Sequence, residues 1–382
     1  MHKLYYLLSI ALSLYAAAAY TYLYFISKKY LLLRGQSANS LLNESRNLPS
    51  RQEIRSRFKD KETINLLVLT GGGVRGLIPL RVLSELERLT GKKSGELFDF
   101  MAGSSTGAIN CGIMSVPDAN GGFRYSASQI AQDYYANIRK MFSAPFYHTL
   151  LTLFGLLGPC YLPRGKIEVL SSYFGGTSLA DLSNNLLVPV YDIAENSLRV
   201  IRSWEHASTS SALNYSLLDL IHGASNLPLI FAPRTFTIAS RKKIFIDPGM
   251  IINNPAGIAL LNLSVLFPNK QIRLVLIGNG GHDRGHFHHQ HMTEFGAYGL
   301  LQYLVNSPII SSKFTTESVY EYIADSGLDV DFVFLNSGGG RALAAGDVSK
   351  KNMQLIENYA QQLIAENRDK ISQLATVLMQ NN

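Results

Sequence analysis

Short, nearly continuous apolar runs that end in glycine or other small residues most limit what this chain can fold into. The run NLLVLT over 65–70 leads directly into three glycines, and FDFMAGSS over 98–105 closes on a turn of small residues. Runs of this kind suit strands that are buried on both faces, as in a parallel sheet between two helical layers. Between them, leucines recur at helical spacing from 80 to 89, with Pro79 in the first turn and Gly91 as the stop.

The same alternation continues along the chain. Further strands are predicted at 186–193, 198–204, 242–247 and 272–280, and helices at 106–114, 216–224 and 255–267. The stretch from 350 to 379 is amphipathic and is predicted as one helix that packs on the sheet. Strands that alternate with helices favour an α/β protein with a three-layer α/β/α fold and a mostly parallel central sheet. We expect one folded domain over residues 64–382.

The N-terminal region differs from the rest. Residues 4–26 are 23 residues without one charged side chain. As a helix this segment would be about 35 Å long, enough to cross a hydrocarbon core of about 30 Å. We therefore predict a transmembrane anchor over residues 1–27. The alternative is a cleaved signal peptide with Ala17 and Ala19 as an A-x-A-like site, which would make the protein secreted.

A basic segment follows the apolar one. Nine basic and four acidic side chains lie between residues 27 and 62, a net charge of +5. Positive charge beside an apolar span marks the cytoplasmic side, and a basic segment near a membrane also binds anionic lipid. We therefore interpret residues 28–63 as a juxtamembrane linker and place the domain on the cytoplasmic face. A membrane surface, and not nucleic acid, is the expected partner.

Cysteines and histidines are not expected to form a structural or metal site. Cys111 and Cys160 are interpreted as two unrelated buried thiols, with one disulfide bridge between them as the alternative. Five of the nine histidines crowd the segment GGHDRGHFHHQH over 280–291, which is typical of an exposed loop because no cluster of cysteines or carboxylates accompanies it. Local packing or hydrogen bonding is expected for the remaining internal histidines, His148, His206 and His222.

Three short motifs carry the candidate chemistry, and the first is the glycine-rich loop over 71–76, GGGVRG. Consecutive glycines allow backbone N–H groups to point at one place, and the helix N-terminus that follows adds positive potential there. Such a loop can hold a phosphate or an oxyanion. On its own it is also compatible with a dinucleotide-binding turn or with a plain strand-to-helix turn.

The second motif is the G-x-S-x-G sequence over 103–107, GSSTG, between a predicted strand and a predicted helix. This is the nucleophile-elbow pattern, in which a strained turn lifts the serine hydroxyl clear of the sheet and the glycines leave room for the backbone. Ser105 is the candidate nucleophile. Ser104 comes one residue early and is expected to point elsewhere.

The third motif is Asp247-Pro248-Gly249 at the end of a predicted strand, followed by an N-N-P block over 253–255. A strand end lies at the rim of the sheet, where ligands of α/β proteins bind. A carboxylate there is a candidate base. Without the other two motifs, a solvated turn would be the better explanation.

In combination, the motifs resemble the patatin-like phospholipase family. Its pattern is a D-G-G-G-x-[RK]-G loop, then a G-x-S-x-G elbow, then a distant D-G-[GA] that carries the aspartate. This chain has T-G-G-G-V-R-G, then Ser105 32 residues after Gly73, then D-P-G. The segment ASNLPLIFAP over 224–233 and the N-N-P block are also similar to family segments. The chain departs from the pattern at two positions. Thr70 stands where the family has an aspartate, and Pro248 stands where it has a glycine.

The resemblance implies a lipid acyl hydrolase of the phospholipase A or lysophospholipase type, acting on membrane phospholipid or another acyl lipid. It implies Ser105 as the nucleophile and Asp247 as the general base of a dyad without histidine. Backbone N–H groups of Gly71, Gly72 and Gly73 would bind the oxyanion. No cofactor or metal is implied. The supporting positions are Arg75, which would fix the loop or meet a lipid phosphate, and Gly76, Gly103, Gly107 and Gly249.

Two other functions stay open from the residues alone. One is an α/β-hydrolase-type esterase in which Ser105 works with a histidine and an aspartate. The other is a non-enzymatic, membrane-bound protein that grips phosphate with the glycine loop, although this function leaves the elbow unexplained. The need for a protein activator is also open.

Overall fold

The computed structural model of the chain describes residues 11–22, 24–25, 47–153, 157–205, 213–280, 312–336 and 343–380. In these residues the strands are β1 (Thr63–Leu69), β2 (Phe100–Gly103), β3 (Asn185–Asp192), β4 (Ser197–Arg202), β5 (Arg234–Ile238), β6 (Arg241–Ile246), β7 (Gln271–Ile277) and β8 (Val330–Leu335). They form one sheet in the order β5–β6–β3–β2–β1–β7–β8, and β4 pairs with β3 outside this path.

The sheet is mostly parallel, as predicted. β1 pairs in parallel with β2 and β7, β2 with β3, and β7 with β8. Antiparallel pairs occur on the β3 side, where β4 and β6 pair with β3 and β5 pairs with β6. The central strands thus end at one common edge.

A helical stretch over 11–22 precedes the domain. The helices that follow are α1 (Arg51–Arg57), α2 (Leu77–Thr90), α3 (Ser94–Leu97), α4 (Thr106–Met114), α5 (Ala127–Met141), α6 (Phe146–Leu151), α7 (Pro163–Phe174), α8 (Leu217–Ala224), α9 (Ala256–Leu266), α10 (Ser312–Ser326), α11 (Lys350–Glu366) and α12 (Arg368–Gln380).

Helices cover both faces of the sheet, which confirms the three-layer fold. All seven residues of β1 are buried. Leu67 and Leu69 belong to a core that also contains residues of α2, α4, α5, α11 and α12. Leu66 and Val68 belong to a second core on the other face, with residues of α1 and α9. Because both faces of the strand are apolar, its sequence shows a continuous apolar run and no alternation.

The C-terminal stretch forms two helices and not the single one predicted. α11 ends at Glu366 and α12 begins at Arg368. Between them, Asn367 has φ −113° and ψ 20°, and its Nδ2 donates to the Leu363 carbonyl at 2.9 Å. An asparagine side chain that bonds the backbone competes with the helix, which explains the break. Both helices still bury an apolar face in the first core.

Residues just before 64 pack on the domain. In α1, Ile54 is fully buried against the second core. Arg55 donates from its Nε to the Leu266 carbonyl at 2.8 Å, which ties α1 to the end of α9. The packed domain therefore starts upstream of residue 64, inside the segment assigned to the linker.

Across the described residues, no helix is long and apolar enough to cross a membrane. The predicted anchor lies only partly within them, since 1–10, 23 and 26–46 fall outside, so the anchor stays a prediction. The described part of it contacts α6: the Tyr15 hydroxyl donates to the Leu150 carbonyl at 2.7 Å, and the Tyr22 hydroxyl is hydrogen-bonded to His148 Nδ1 at 2.8 Å.

Candidate active site

Ser105 lies on the sharp turn between β2 and α4, where the elbow motif places it. Its backbone has φ 51° and ψ −121°, a conformation that residues other than glycine rarely adopt and that functional sites often contain. Ser105 is half-buried, whereas Ser104 is fully buried and donates its hydroxyl to the Ile252 carbonyl at 2.7 Å. Of the two neighbouring serines, Ser105 is thus the one whose hydroxyl can meet a ligand.

The glycines of the elbow are required by close backbone approach. A Cβ on Gly103 would overlap the backbone of Gly107, and a Cβ on Gly107 would overlap the Leu69 carbonyl at the end of β1. No side-chain rotation relieves an overlap with backbone atoms. The G-x-S-x-G spacing therefore reflects how tightly α4 packs over the ends of β1 and β2.

Asp247 comes next to Ser105 from a distant part of the sequence. β6 meets β3 only near the C-terminal end of β3, where Ile246 pairs with Tyr191. The residue after β6 therefore lies at the same edge of the sheet as the elbow, although β6 is antiparallel to its neighbour. The Asp247 carboxylate lies close enough to the Ser105 side chain for the two groups to interact, and it accepts a hydrogen bond from the Gly249 N–H at 2.7 Å.

Asp247 is 3% exposed, and its surroundings change its acidity. Burial raises the pKa of Asp247 above its ordinary value, while the nearby Ser105 side chain, the hydrogen bond from the Gly249 N–H and the positive charge of Lys166 oppose this rise. A carboxylate whose pKa is raised towards neutrality is a stronger base when ionised. The pair thus has the contact and the direction of tuning that proton transfer from a serine requires.

Pro248 does not prevent this contact. The Gly249 N–H still donates a hydrogen bond to the Asp247 carboxylate at 2.7 Å. The Pro248 carbonyl accepts hydrogen bonds from Ile251 and Ile252, both at 2.7 Å, so the turn after the carboxylate is well bonded. Proline lacks only an N–H donor, and the bonds of this turn use its carbonyl. The departure from the family's D-G-[GA] pattern is compatible with the geometry.

The glycine loop lies beside the elbow, and its three glycines differ. A Cβ on Gly71 would lie 3.1 Å from the Ser105 Cβ. The Gly71 N–H, however, donates to the Asn253 carbonyl at 2.9 Å. Gly72 and Gly73 are half-buried, and no acceptor within the described part of the chain takes their N–H groups. The prediction that Gly71 binds an oxyanion is therefore wrong, because its donor is already used, and Gly72 and Gly73 keep theirs.

Arg75 and Gly76 support the loop from inside. Arg75 is 5% exposed and donates to the carbonyls of Gly72 at 3.2 Å and Gly280 at 3.3 Å. Burial lowers its pKa to about 10. Of its two predicted roles, the contacts are those of loop fixing, because a guanidinium this buried does not reach a phosphate outside. A Cβ on Gly76 would overlap the Thr106 side chain beside the nucleophile.

Sequence reasoning missed two residues behind Asp247. The Asn226 carbonyl accepts the Asp247 N–H at 3.0 Å, and the Asn226 Oδ1 accepts from Lys166 Nζ at 2.9 Å. Asn226 lies within the ASNLPLIFAP segment, so the family resemblance contained a signal for it. The signal for Lys166 was its place in α7, three residues before the buried Val169 on the same helix face.

The described histidines make no hydrogen bond to the Ser105–Asp247 pair. His222 is buried, its Nδ1 lies 3.5 Å from Asn226 Nδ2, and its Nε2 has no partner among the described residues. Burial, with Lys166 and Arg234 nearby, holds the pKa of His222 well below its ordinary value. His148 is bonded to the Pro159 carbonyl at 2.8 Å. His206 and the histidines of the predicted loop lie outside the described residues.

Neither a metal-binding cluster nor a disulfide bond is found within the described part of the chain. It contains no group of three or more histidine, cysteine, aspartate or glutamate side chains that could hold a metal ion. Cys111 is buried, Cys160 is half-buried, and neither is in a disulfide bond. The prediction of two separate cysteines is confirmed, and that of burial is confirmed for Cys111 alone. The candidate chemistry therefore rests on the serine, the carboxylate and the backbone donors.

A serine on a strained strand-to-helix turn, beside a buried carboxylate and backbone N–H groups without acceptors among the described residues, has the groups that a serine hydrolase needs. Comparison with known families gives the family of the chain. The family model "Patatin-like phospholipase" matches residues 67–260. The chain belongs to the patatin-like phospholipase family.

Curated relatives extend the similarity beyond that range. Patatin-like protein 2 of Arabidopsis thaliana is 25% identical over 65% of this chain and 68% of its own length. Patatin-like protein 2 of Oryza sativa subsp. japonica is 24% identical over 81% of this chain and 85% of its own length. Patatin group A-2 of Solanum tuberosum is 24% identical over 80% of this chain and 84% of its own length. With patatin-like protein 4 of Arabidopsis thaliana, the chain spans only 52% of the relative's length.

Two solved structures are similar over most of the chain. VipD from Legionella pneumophila matches 80% of this chain and 67% of its own, with 12% identity and a TM-score of 0.33. The structure of full-length SpcU in complex with full-length ExoU from Pseudomonas aeruginosa matches 82% of this chain and 53% of its own, with 11% identity and a TM-score of 0.33. The fold is defined by the strand order and the two cores of the sheet.

Proposed function

We propose that this protein hydrolyses carboxylic esters of membrane lipids, as a phospholipase A or lysophospholipase, with Ser105 as nucleophile and Asp247 as base. The observation that carries the proposal is the meeting of Ser105, which is held on a strained backbone, with the buried carboxylate of Asp247 at the same edge of the sheet. Membership in the patatin-like phospholipase family supports hydrolase activity on lipids.

In the first half of the reaction, Asp247 takes the proton from the Ser105 hydroxyl while the serine Oγ attacks the carbonyl carbon of the ester. The N–H groups of Gly72 and Gly73 bind the negative oxygen of the tetrahedral intermediate. The N-terminus of α4, which begins at Thr106, adds positive potential at the same place. The intermediate then expels the alcohol, which receives the proton from Asp247, and leaves an ester on Ser105.

Water completes the cycle. Asp247 takes a proton from a water molecule that attacks the acyl carbonyl, and the same N–H groups hold the second oxyanion. When this intermediate collapses, the Ser105 oxygen regains the proton and the fatty acid leaves. Neither half requires a histidine, a metal or an organic cofactor.

Exposed apolar side chains next to the site support a lipid substrate. Met250 and Ile251 follow the Asp247 turn and are 37% and 57% exposed, and Leu229, three residues after Asn226, is 45% exposed. The Cys160 N–H donates to the Leu229 carbonyl at 2.9 Å, which joins this rim to the segment after α6. Apolar groups at the mouth of a site favour contact with acyl chains and the bilayer.

We further propose that the domain works at a membrane, anchored by its N-terminal segment and facing the cytoplasm. The uncharged run over 4–26 and the basic run after it support this location. Phe146 and Tyr147 in α6 are 79% and 56% exposed. Since the helix over 11–22 is bonded to α6, these rings lie next to the apolar segment. Secretion after signal cleavage is the competing location.

Neither rival function accounts for the contacts as well. In a triad enzyme a histidine lies between serine and carboxylate, whereas here the Asp247 carboxylate is itself close enough to the Ser105 side chain to interact with it. A phosphate-binding protein would use the glycine loop but would have no need for a strained serine beside a buried carboxylate.

One experiment with four variants tests the proposal. Wild type and variants are assayed on phosphatidylcholine and lysophosphatidylcholine vesicles, and labelled with a fluorophosphonate. We expect Ser105→Ala and Asp247→Asn to lose activity by about 10⁴-fold or more, because one removes the nucleophile and the other the proton acceptor. The matched controls Ser104→Ala and His222→Gln should lose less than about tenfold.

The outcomes separate the candidate functions. Full turnover by folded Ser105→Ala excludes the serine mechanism. A His222→Gln variant that is folded and as inactive as Ser105→Ala moves the chain to the triad hydrolases. Absence of both labelling and hydrolysis in the wild type, on esters of any length, favours the phosphate-binding alternative.

A further inference from the structure

Lys166 is a buried lysine that the proposed mechanism does not use. It lies in α7, is 2% exposed, and is among the largest fully buried side chains of the described residues. Burying an ammonium is unfavourable unless it is paired and hydrogen-bonded. A lysine is therefore retained in such a place only where its surroundings are built to hold the charge.

The surroundings of Lys166 are the segment that holds Asp247. Lys166 Nζ donates to the Ser225 carbonyl at 2.5 Å and to Asn226 Oδ1 at 2.9 Å. It also lies 4.3 Å from the centre of the Phe231 ring. The Asn226 carbonyl in turn accepts the Asp247 N–H at 3.0 Å. One residue thus connects the ammonium to the backbone of the carboxylate.

Among the charged groups around Lys166, Asp247 is the acid that acts on its charge. Asp219 is already paired with Arg234, whose Nε and Nη2 donate to it at 2.7 Å and 2.5 Å. His222 faces both Lys166 and Arg234, and these cations and its burial lower its pKa, so it is neutral. Burial lowers the pKa of Lys166 to about 7, and the charge of Asp247 opposes this fall, so that Lys166 is charged on the acid side of neutrality. The interaction is mutual, since Lys166 opposes the rise in the Asp247 pKa.

We propose that Lys166 is a positioning residue of the active site: its ammonium keeps the Asp247 carboxylate in its ionised, proton-accepting form and, through Asn226, fixes where that carboxylate sits. This inference rests on the proposed function, because it concerns the base of the same reaction. Lys166 is too buried to touch a substrate, and it acts only through Asp247.

The consequence is a pH dependence with a definite sign. A carboxylate base is active when ionised, so activity falls as the pH falls through its pKa. Removing the neighbouring cation takes away one of the effects that hold the pKa of Asp247 down. The acid side of the pH–rate profile must therefore move to higher pH, whereas binding of a substrate that Lys166 does not touch should change little.

The test is the pH profile of kcat/KM on a water-soluble p-nitrophenyl ester, measured on the full-length protein in detergent. Lys166→Met removes the charge, Lys166→Gln removes it but keeps hydrogen-bond donors, and Lys166→Arg keeps the charge. We expect the acid midpoint of the Met and Gln variants to rise by about one pH unit, with KM nearly unchanged, and that of the Arg variant to stay near the wild type. Lys243→Met is the matched control, since Lys243 is a buried lysine paired with Asp192 and Glu195.

The outcomes are distinct from those of the proposed function. If the wild type hydrolyses no ester, the proposed function itself is wrong. If the wild type is active and a folded Met or Gln variant keeps the wild-type midpoint, the role of Lys166 is wrong. Loss of fold in all three variants, including the charge-conserving Arg, also overturns it, because shape and not charge would then be what the site needs.

Discussion

Two glycine-rich turns that look alike in sequence are built for different purposes. Both follow parallel strands and open helical turns, the loop after β1 and the elbow after β2. In the elbow, Gly103 and Gly107 are packed against backbone atoms. In the loop, Gly72 packs against the Asn279 side chain and is half-buried, with its N–H free among the described residues.

The difference separates two uses of glycine. The elbow glycines allow close packing, so that one serine is forced into a strained and accessible position. In the loop, Gly72 and Gly73 leave backbone donors without an acceptor among the described residues next to that serine. Substitutions in the elbow are therefore expected to damage fold and activity together, whereas substitution of Gly72, which packs against a side chain, should damage mainly activity.

The largest effect is expected for Gly107→Ala. The new Cβ overlaps the Leu69 carbonyl. Because the overlap is with backbone, α4 must move away from β1 to remove it. We expect a loss of unfolding free energy of about 1–3 kcal/mol or more, together with loss of nearly all hydrolysis. Urea denaturation and initial rates measure both effects. Gly176→Ala is the control, since nothing lies within 4 Å of a Cβ there. Normal stability and activity in Gly107→Ala would contradict the packing explanation of the elbow.

A smaller effect, and on activity alone, is expected for Gly72→Ala. The new Cβ would lie 2.6 Å from Asn279 Nδ2, so the loop or this side chain must move, and the oxyanion donors with it. We expect kcat to fall by about 10- to 100-fold, within the range for loss of one oxyanion donor, with Tm and KM little changed.

Gly257→Ala serves as the control for Gly72→Ala, because a Cβ at Gly257 meets only Val319 at an ordinary 3.6 Å. If the Gly72 variant lost stability as strongly as the Gly107 variant, the loop and the elbow would not differ in the way described. Unchanged kcat would remove Gly72 from the oxyanion site.

The smallest effect is expected for Pro248→Gly, in the third turn of the site. The bonds of this turn use the Pro248 carbonyl and the Gly249 N–H, and glycine keeps both. We expect activity within about threefold of the wild type or higher, and a slightly lower Tm, since replacing proline by glycine favours the unfolded chain by up to about 1 kcal/mol. Rates and thermal melts check this. A tenfold loss of kcat would show that the fixed φ of proline places the carboxylate.

Much of the fold could be predicted from the sequence because its signals are local. The double-sided burial of β1 is visible in NLLVLT. Gly91 ends α2 with φ 68°, as its position indicates. The elbow was predictable for the same reason: the turn at Ser105 and its flanking glycines lie within five consecutive residues. The break at Asn367 was missed because the apolar pattern continues through it, and only the side-chain bond to Leu363 reveals it.

What the sequence by itself determined is the set of parts: the apolar strands, the glycine turns, and the serine and carboxylate at strand ends. Only the tertiary structure decided how the parts meet. It brings Asp247 to Ser105 through a brief antiparallel pairing of β6 with β3, uses the Gly71 N–H for Asn253, and buries Lys166 behind Asn226. The physical reason is the distance along the sequence over which each effect acts. Strand, helix and turn preferences depend on neighbours within a few residues, whereas burial, charge pairing and donor occupancy depend on segments that are distant in sequence and meet only in the packed fold.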